Sequence, residues 1–600
     1  MVPTNKDIAK KLRYVAAVYL LLGVNRFKIV AYDRAAEAID QSSIELYDLW
    51  KDGKLTLVDG VGPSIASHLD EWFKKGQSDH LDKILDDAPA SMFPLLDVPG
   101  FGPKKAFKLV TTLKLGDPKT IIEDMKKAAK AGKIATIEGF GETSQADILQ
   151  RLEEYKEGSA KEARMPLPIA YDQAQALVAY MKTCPSLKRI EVLGSLRRMS
   201  PTIGDIDLAA ATDNPEEVLE WFIKYPQSVR MIEKGPATAS ILITGLRHVD
   251  LMVQPVDHFG SLLQHFTGSR AHNIKLREYA LKKGMSLSEY GIANISVKRK
   301  AESEKLHRKI EKFDTEEKFY NALGLEWIPP EMREDRGEIE ASLKKSLPRL
   351  IQTKDIKGDL HMHSNYDLKP SHDLGQSSME ELVKNAQRLG YEYIGISDHN
   401  PKVSDLSEKE IVEIMKKRKD YIEHIKDSTK STRVHILSML EIDITPDGAL
   451  ALPEKAFDYI DAAVVSLHSR LDQSREVATK RVLKALSHPK AKIWGHPTGR
   501  QLLERKGVDV EWESIFDFCL KNDKALEINS WPQRLDLPDN LVFQAREKGI
   551  KFVIDTDSHH KDHMDNMHFG VSVARRGWLE KKDVLNTLGW KDFSRWILSN

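Results

Sequence analysis

The sequence predicts a multidomain chain of mixed α+β and α/β class, and three observations carry that reading. Short apolar runs recur through residues 355–600, each ending in a histidine or an acid, with amphipathic stretches such as Met379 to Leu389 and Leu406 to Lys426 between them. A Gly-apolar-Gly pattern recurs at residues 60–62, 100–102 and 139–141. Between these regions, two acids two residues apart, Asp205 and Asp207, border a third apolar stretch. Runs of that size are buried strands, and their alternation with helices builds a parallel sheet or barrel. Glycine turns between amphipathic stretches belong to a helical domain.

Six runs define the back half. Ile356 to Leu360 leads into His361 and His363, Tyr393 to Ser397 into Asp398 and His399, and His435 to Leu440 into Glu441. Ala462 to Leu467 leads into His468, Lys492 to Gly495 into His496, and Lys551 to Thr556 into Asp557 and His559. In a parallel α/β barrel the strand C-termini converge on one rim, so these side chains can meet there. Imidazoles and carboxylates without cysteine suit zinc, manganese or iron in a hydrolytic site, whereas a closed structural zinc site more often uses thiolates. Clustered divalent ions activate water and clamp phosphoryl oxygens, which makes a phosphoester the natural substrate. One buried histidine is ordinarily a hydrogen-bonded core residue; the shared place at strand ends sets this group apart.

The order Gly358-Asp359-Leu360-His361-Met362-His363, Ser397-Asp398-His399, Glu441-Ile442-Asp443, Ser466-Leu467-His468-Ser469, Gly495-His496-Pro497 and Thr556-Asp557-Ser558-His559 resembles the polymerase and histidinol phosphatase (PHP) domain. The resemblance implies a distorted (β/α) barrel over residues 355–600 and metal ligands His361, His363, His399, Glu441, His468, His496, Asp557 and His559, holding two or three Mn²⁺, Zn²⁺ or iron ions. A ninth ligand, an aspartate after the first His-x-His, is a choice between Asp373, which Gly375-Gln376 and a helix follow as in the family pattern, and Asp367. Arg470 and Arg500, just past two ligands, are candidate phosphate contacts, with plain surface arginines as the alternative.

The front half carries Gly194-Ser195-Leu196-Arg197-Arg198, then Gly204-Asp205-Ile206-Asp207-Leu208, and a third acid at Asp250 in Arg247-His248-Val249-Asp250-Leu251. Residues two apart in a strand face the same side, so Asp205 and Asp207 pair their carboxylates and Asp250 joins from a neighbouring strand. Three carboxylates fit two Mg²⁺ or Mn²⁺ ions bridging nucleotide phosphates. With Phe266-Thr267-Gly268-Ser269, Asn273 and Arg277 downstream, this set resembles the nucleotidyltransferase core of family X DNA polymerases. The resemblance implies catalytic Asp205, Asp207 and Asp250, and nucleotide-binding Arg164, Gly194, Ser195, Arg198, Gly204, Phe266, Gly268, Asn273 and Arg277. Two positions depart from the family: His265 stands where it has tyrosine, and His248 where it has arginine.

The three glycine hairpins resemble helix-hairpin-helix units, which offer backbone N–H groups at a helix start to a DNA phosphate without reading sequence. Gly60, Gly62, Gly100, Gly102, Lys104 and Lys105 are the expected DNA contacts. The third copy is weakest, because Glu138, Glu142 and Asp147 surround it. Asn25 to Ala36 resembles the family's domain that binds the 5′ phosphate of a gap. The lysine that forms a Schiff base in its lyase members is His68 here and a phosphate-binding lysine is Ser64, so little or no lyase activity is expected.

The 90 basic and 90 acidic residues cancel, and the chain is 41% hydrophobic and 30% charged. Net charge is a poor guide beside two carboxylate-rich cation sites, so DNA contact is expected to be local and salt-sensitive. No apolar stretch reaches membrane-spanning length, and two well-separated cysteines, Cys184 and Cys519, suit a reducing cytoplasm. The expected partition is 1–80 helical gap-binding domain, 81–160 helix-hairpin-helix fingers, 161–255 palm, 256–330 thumb, 331–354 linker and 355–600 PHP domain. Together the resemblances imply a gap-filling DNA polymerase of base excision repair acting on gapped or nicked DNA and dNTPs, and a sequence without a hydrophobic heptad or an exposed apolar repeat suits a monomer. They also imply 3′→5′ exonuclease activity in the PHP half, with abasic-site cleavage and 3′-phosphate removal as related outcomes. The alternative is a DNA-binding module fused to a PHP phosphatase, with an idle polymerase half.

Overall fold

The computed structural model describes residues 3–40, 46–51, 53, 55–58, 61–98, 101–156, 164–245, 247–294 and 310–599. Gly60 and Gly100 lie outside the described residues. Among the described residues, no helix is long and apolar enough to cross a membrane.

The front is helical. Thr4 and Asp7 cap helix Asn5–Leu21 reciprocally. That helix and helices Pro63–Lys75, Pro103–Leu113 and Ile121–Lys130 share one core, in which Leu12, Val15, Leu69, Leu109 and Met125 are buried. Gly62 and Gly102 each take extended backbone immediately before a helix that starts with proline. Proline has no N–H to leave orphaned there, so both hairpins end in a pre-organised helix start. The third hairpin differs. Its helix, Glu142–Lys156, starts on an acid, and Lys108 donates to the Glu138 carbonyl at 2.6 Å.

The palm is a five-stranded mixed sheet in the order Arg189–Val192, Ile206–Ala211, Arg247–Gln254, Thr238–Ile243 and Ser228–Lys234. Only Ile206–Ala211 and Arg247–Gln254 run parallel. Their starts therefore point the same way, and the acids at those starts come together. Helices Phe259–Thr267 and Arg270–Lys282 follow, with a three-stranded sheet ordered Ile310–Glu311, Gly291–Asn294 and Met285–Ser288.

Residues 331–354, expected to form a linker, are packed against the thumb instead. Arg333 is fully buried and pairs with Glu316 at 2.6 Å. Helix Glu338–Leu343 places Glu338 2.7 Å from the buried His272. Charged residues in this stretch read as a solvated tether, but Glu331, Arg333, Glu334, Arg336 and Glu338 pair with Arg575, Glu316, Arg576, Asp539 and His272 elsewhere in the chain, and Lys344 and Lys345 stay exposed.

The back half is a sheet of seven parallel strands in sequence order: Gly358–Met362, Tyr393–Ile396, His435–Asp443, Ala462–Ser466, Ala491–Trp494, Ala525–Asn529 and Phe552–Asp555. A bridge between Met362 and Ser558 brings the first and last strands together, so the barrel is nearly closed. Leu360, Tyr393, Leu437, Met439, Ala462, Val464, Ile493, Ala525 and Val553 gather around Phe593 and Trp596 of the C-terminal helix Trp590–Ile597. Those aromatic rings fill the inside of the barrel, and the opposite, C-terminal rim is left for chemistry. The register slips between Asp359 and Met362. The slip inverts the strand's phase: Leu360 joins the inner cluster, while Met362 packs in the outer core with Leu382 and Val383. A bulge of this kind re-aims side chains, and here it sends His361 and His363 to the rim.

Candidate active sites

Glu441 stands at the middle of the barrel rim. Its Oε2 lies 2.9 Å from His399 Nδ1, 3.2 Å from His361 Nε2 and 3.5 Å from His363 Nε2. Its Oε1 lies 2.9 Å from His496 Nε2 and 3.4 Å from His468 Nε2. Asp557 Oδ1 faces His363 at 3.2 Å and His361 at 3.6 Å. Asp373 faces His559 at 3.4 Å and His399 at 3.7 Å. Asp367 is exposed and accepts the Lys369 N–H at 2.7 Å. Of the two aspartates left open by the sequence, Asp373 is the one the fold brings to the centre.

The residues fit a cluster of divalent cations. His361 Nε2, both ring nitrogens of His363, His399 Nδ1, Glu441 Oε2, His496 Nδ1 and His559 Nε2 are buried without a hydrogen bond. Buried polar atoms are ordinarily paired, and so many orphans around one carboxylate call for a shared partner. The sets His361–His363–Asp557, His361–Glu441–His496 and His399–Glu441–His468 each bring ligand atoms within 4.8 Å of one another. His361 Nδ1 lies 2.6 Å from Glu527 Oε1, and His468 Nδ1 lies 2.6 Å from Asp443 Oδ1. In the neutral ring each carboxylate accepts the Nδ1 proton and Nε2 turns its lone pair to a Glu441 oxygen, acceptor against acceptor. A cation between them satisfies both.

The fields around these rings differ sharply. Burial pushes His361 and His363 down alike. Glu527, Glu441 and Asp557 then lift His361 well above its ordinary value, whereas His399 and His559 add to burial and hold His363 well below it. Against burial, Glu441 and its neighbours raise His399 to about 10 and His468 to about 9.

In the palm, Asp207 and Asp250 are register partners on the two parallel strands. Asp205 is exposed just ahead of the first strand. Ser240 pairs with Asp250 on the next strand and donates its hydroxyl to Asp250 Oδ1. Burial, then Asp205, then Asp250 push Asp207 up to about 8. Acids crowded in this way suit divalent cations, which supply the missing positive charge. Gly194 has φ +56°, and a Cβ there would fall 2.5 Å from Asp207 Oδ2, so only glycine lets the backbone approach that acid.

The other expected nucleotide contacts group nearby. Arg198 Nη1 donates to the Thr267 carbonyl at 2.6 Å and lies 3.1 Å from where a Gly268 Cβ would sit. Arg164 donates to Thr202 through Nε at 2.7 Å and through Nη2, beside Gly204. Ser195 is partly exposed in the turn that carries Arg198. Asn273 holds the preceding turn, donating to the His265 carbonyl at 2.7 Å and accepting from Gln264 at 2.9 Å. Phe266 packs on the ring of His265 at 4.8 Å.

Three family models match the chain: a helix-hairpin-helix domain over residues 3–78, the DNA polymerase beta thumb over 262–334 and the PHP domain over 359–583. The DNA polymerase/3′-5′ exonuclease PolX of Bacillus subtilis is 33% identical over 597 residues, covering 99% of both chains. The chain belongs to the family X DNA polymerases that carry a PHP domain. A probable phosphatase of Clostridium acetobutylicum is 27% identical over 34% of this chain and 78% of its own length. DNA polymerase lambda of Rattus norvegicus is 23% identical over 55% of this chain and 56% of its own length.

Within this family X chain, several positions stand apart. Arg500 gives Nε to the Arg534 carbonyl at 2.9 Å and Nη2 to the Leu535 carbonyl, clamping a loop instead of turning its fork to the rim. Arg470 is 67% exposed beside Asp472, at 3.7 Å. Arg534 was not expected and is better placed: its Nε lies 3.8 Å from Asp557 Oδ2, and its Nη1 is buried without a hydrogen bond. Glu527 was also missed. It lies on strand Ala525–Asn529, a seventh run, Ala-Leu-Glu-Ile-Asn, that the six-run reading passed over because no histidine follows it. Asp443, two residues past Glu441 on one strand, could have been read by the same alternation that paired Asp205 with Asp207. At the front, His68 stacks on His80 with ring centroids 4.1 Å apart, and Ser64 Oγ lies 3.4 Å from its Nε2.

His265 gives a pH prediction. Burial, then Arg277, hold it down at about 4, below the ordinary value of about 6.5. The stability tied to it is fully present above pH 6.5 and is lost as pH falls through 4, because the unfolded chain takes up the proton first. Relative to His265→Tyr, the unsubstituted protein is expected to lose melting temperature steadily between pH 6.5 and 4. Parallel melting curves for the two proteins across that range would contradict the shift.

Proposed function

We propose that the chain fills short gaps in DNA during base excision repair and shortens DNA 3′ ends with its PHP centre. The observation that carries this reading is the presence, in one chain, of a three-aspartate site beside Arg198 and Gly268 and a Glu441-centred cluster of imidazoles. Divalent cations supply Lewis acidity at both sites: Mg²⁺ or Mn²⁺ held by Asp205, Asp207 and Asp250, and two or three Mn²⁺, Zn²⁺ or iron ions held by Asp373, Glu441, Asp557 and the rim histidines.

The protein's own groups do the rest. Ser240 fixes the Asp250 carboxylate, and Gly194 lets the backbone lie against Asp207, so the acids meet a primer terminus in one arrangement. Arg198 and Arg164 offer guanidinium donors to the triphosphate, with the main chain at Gly194 and Ser195 and the open slot at Gly268 around them. The helix starts after Gly62 and Gly102, with exposed Lys104 and half-buried Lys105, hold the DNA backbone. At the rim, Glu527 and Asp443 keep the Nδ1 protons of His361 and His468 and so aim their Nε2 lone pairs inward. Arg534, with Nε 3.8 Å from Asp557 Oδ2, sets a guanidinium beside the cluster, where a scissile phosphate has an opposite charge to meet. His68 has no amine, so no Schiff base forms at that position.

The test is a primer–template with a one-nucleotide gap, supplied with and without dNTPs in Mg²⁺ and in Mn²⁺. Extension by one nucleotide with dNTPs, and shortening of the primer without them, are the expected products. A protein that neither extends nor shortens the primer under any of these metals overturns the reading.

A further inference from the structure

A line of alternating charges crosses from the polymerase half into the PHP half, and it starts at Arg198. Arg198 Nε donates to Glu334 Oε1 at 3.0 Å. The same oxygen lies 2.9 Å from Nη1 of Arg576, at the end of the PHP helix Met567–Arg576. Arg576 Nη1 also donates to the main-chain carbonyl of Arg198 at 2.8 Å. Beyond it, Asp539 Oδ2 accepts from Arg576 Nη2 at 3.1 Å and from Arg336 Nη2 at 2.8 Å, and Arg336 Nη1 returns to the Arg576 carbonyl at 3.1 Å. Side-chain exposure is 14% for Arg198, 19% for Glu334, 6% for Arg576 and 12% for Asp539. None of these groups belongs to the rim cluster of imidazoles.

We propose that Arg576, a PHP-domain residue, is a positioning residue for nucleotide binding in the polymerase half: it fixes Arg198 so that its guanidinium meets the triphosphate of the incoming nucleotide. This rests on the reading of Arg198 given above. Arg576 grips Arg198 twice, at its backbone and through Glu334, while the Thr267 carbonyl pins Nη1. Alone, Glu334 would neutralise Arg198 and compete with a phosphate for it. Sharing Glu334 Oε1 with a second guanidinium divides that negative charge and leaves Arg198 cationic. Three guanidiniums against two carboxylates give the line an excess positive charge, and its burial keeps each member dependent on the others. The PHP domain thus completes the polymerase site without lending it any hydrolytic residue.

The experiment uses the full chain on one-nucleotide-gapped DNA in Mg²⁺. It measures single-nucleotide insertion kinetics, equilibrium binding of a non-hydrolysable dNTP analogue to the protein–DNA complex, and 3′ resection by the same preparations. Arg576→Ala is expected to raise KM for dNTP and weaken analogue binding by roughly 3- to 30-fold, with kcat within about twofold and resection unchanged. Arg576→Lys should recover part of the affinity. Combining Arg576→Ala with Glu334→Gln should cost less than the two single effects together, as expected for partners in one network. Analogue affinity equal to the unsubstituted protein's overturns the proposal, as does a joint fall of extension and resection that Arg576→Lys does not reverse. An unsubstituted protein that binds the analogue but never extends a primer refutes the polymerase reading instead, and the effect of Arg576→Ala on analogue binding still decides this one.

Discussion

Asp207→Asn is expected to abolish gap filling, by at least about a thousandfold, the scale set by removing several kcal/mol of transition-state charge stabilisation. Resection of 3′ ends by the same preparation should be unchanged. Asp207 is half-buried, lies beside Asp250 in register and touches the open face of Gly194, so no other carboxylate can take its place. The substitution should also stabilise the cation-free protein. Burial, Asp205 and Asp250 hold this carboxyl at about 8 when folded, against about 3.9 unfolded. Its contribution is favourable only at low pH and turns against folding as pH rises through that interval. An amide carries no such penalty. In chelator at pH 8, Asp207→Asn should melt above the unsubstituted protein, and the gap between them should close towards pH 4. If Asp207→Asn melts lower at every pH, the crowding of acids is not what sets its titration. If it still extends primers, Asp207 does not hold the catalytic ion.

The register of Asp207 against Asp250 was legible in the sequence, because it needs only one parallel neighbouring strand, whereas Asp205 stands just ahead of the strand, where alternation does not place it. The six rim-directed runs were legible for the same reason: each strand's position in the barrel follows from its order in the chain. What was not legible depends on departures from regular strands. The register slip before Met362 decides which of Leu360, His361 and Met362 face the rim, and no residue type between Asp359 and Met362 announces it. The aspartate at 373 rather than 367 is chosen by a loop that returns beside Asn400 and Pro401, a contact between distant segments. Arg500 looked like a phosphate ligand because it follows His496 closely, but its donors are claimed by the loop at 534–535, far along the chain. The expected linker failed in the same way. Its charges look solvated until Glu316, His272 and Arg576 are brought to them by the fold. The resemblance supplied the candidate ligand set, while Glu527, on a strand that no histidine follows, meets His361 only once the fold brings the two strands together.

Glu441→Gln should remove 3′ resection by about a thousandfold or more, with insertion opposite a gap retained. Glu441 meets five imidazoles, His361, His363 and His399 through Oε2 and His468 and His496 through Oε1. An amide has one acceptor and one donor end, and it carries no charge, so it cannot serve as a ligand to cations on both sides. The bound metal-to-protein ratio, measured by mass spectrometry after dialysis against limiting free metal, should therefore fall together with activity. Glu527→Gln offers the graded comparison. It leaves every direct ligand in place, its amide oxygen can keep the bonds that Glu527 Oε2 accepts from the His496 N–H and Asn529, and the Nδ1 hydrogen bond of His361 is loosened, so the expected loss is about 10- to 100-fold in metal affinity or rate. Equal losses in both variants would mean that Glu527 is itself a ligand. Full metal content with unimpaired resection in Glu441→Gln would mean that the cations gather elsewhere on the rim, around Asp557 and Asp373, and that the central carboxylate serves the packing of the histidines alone.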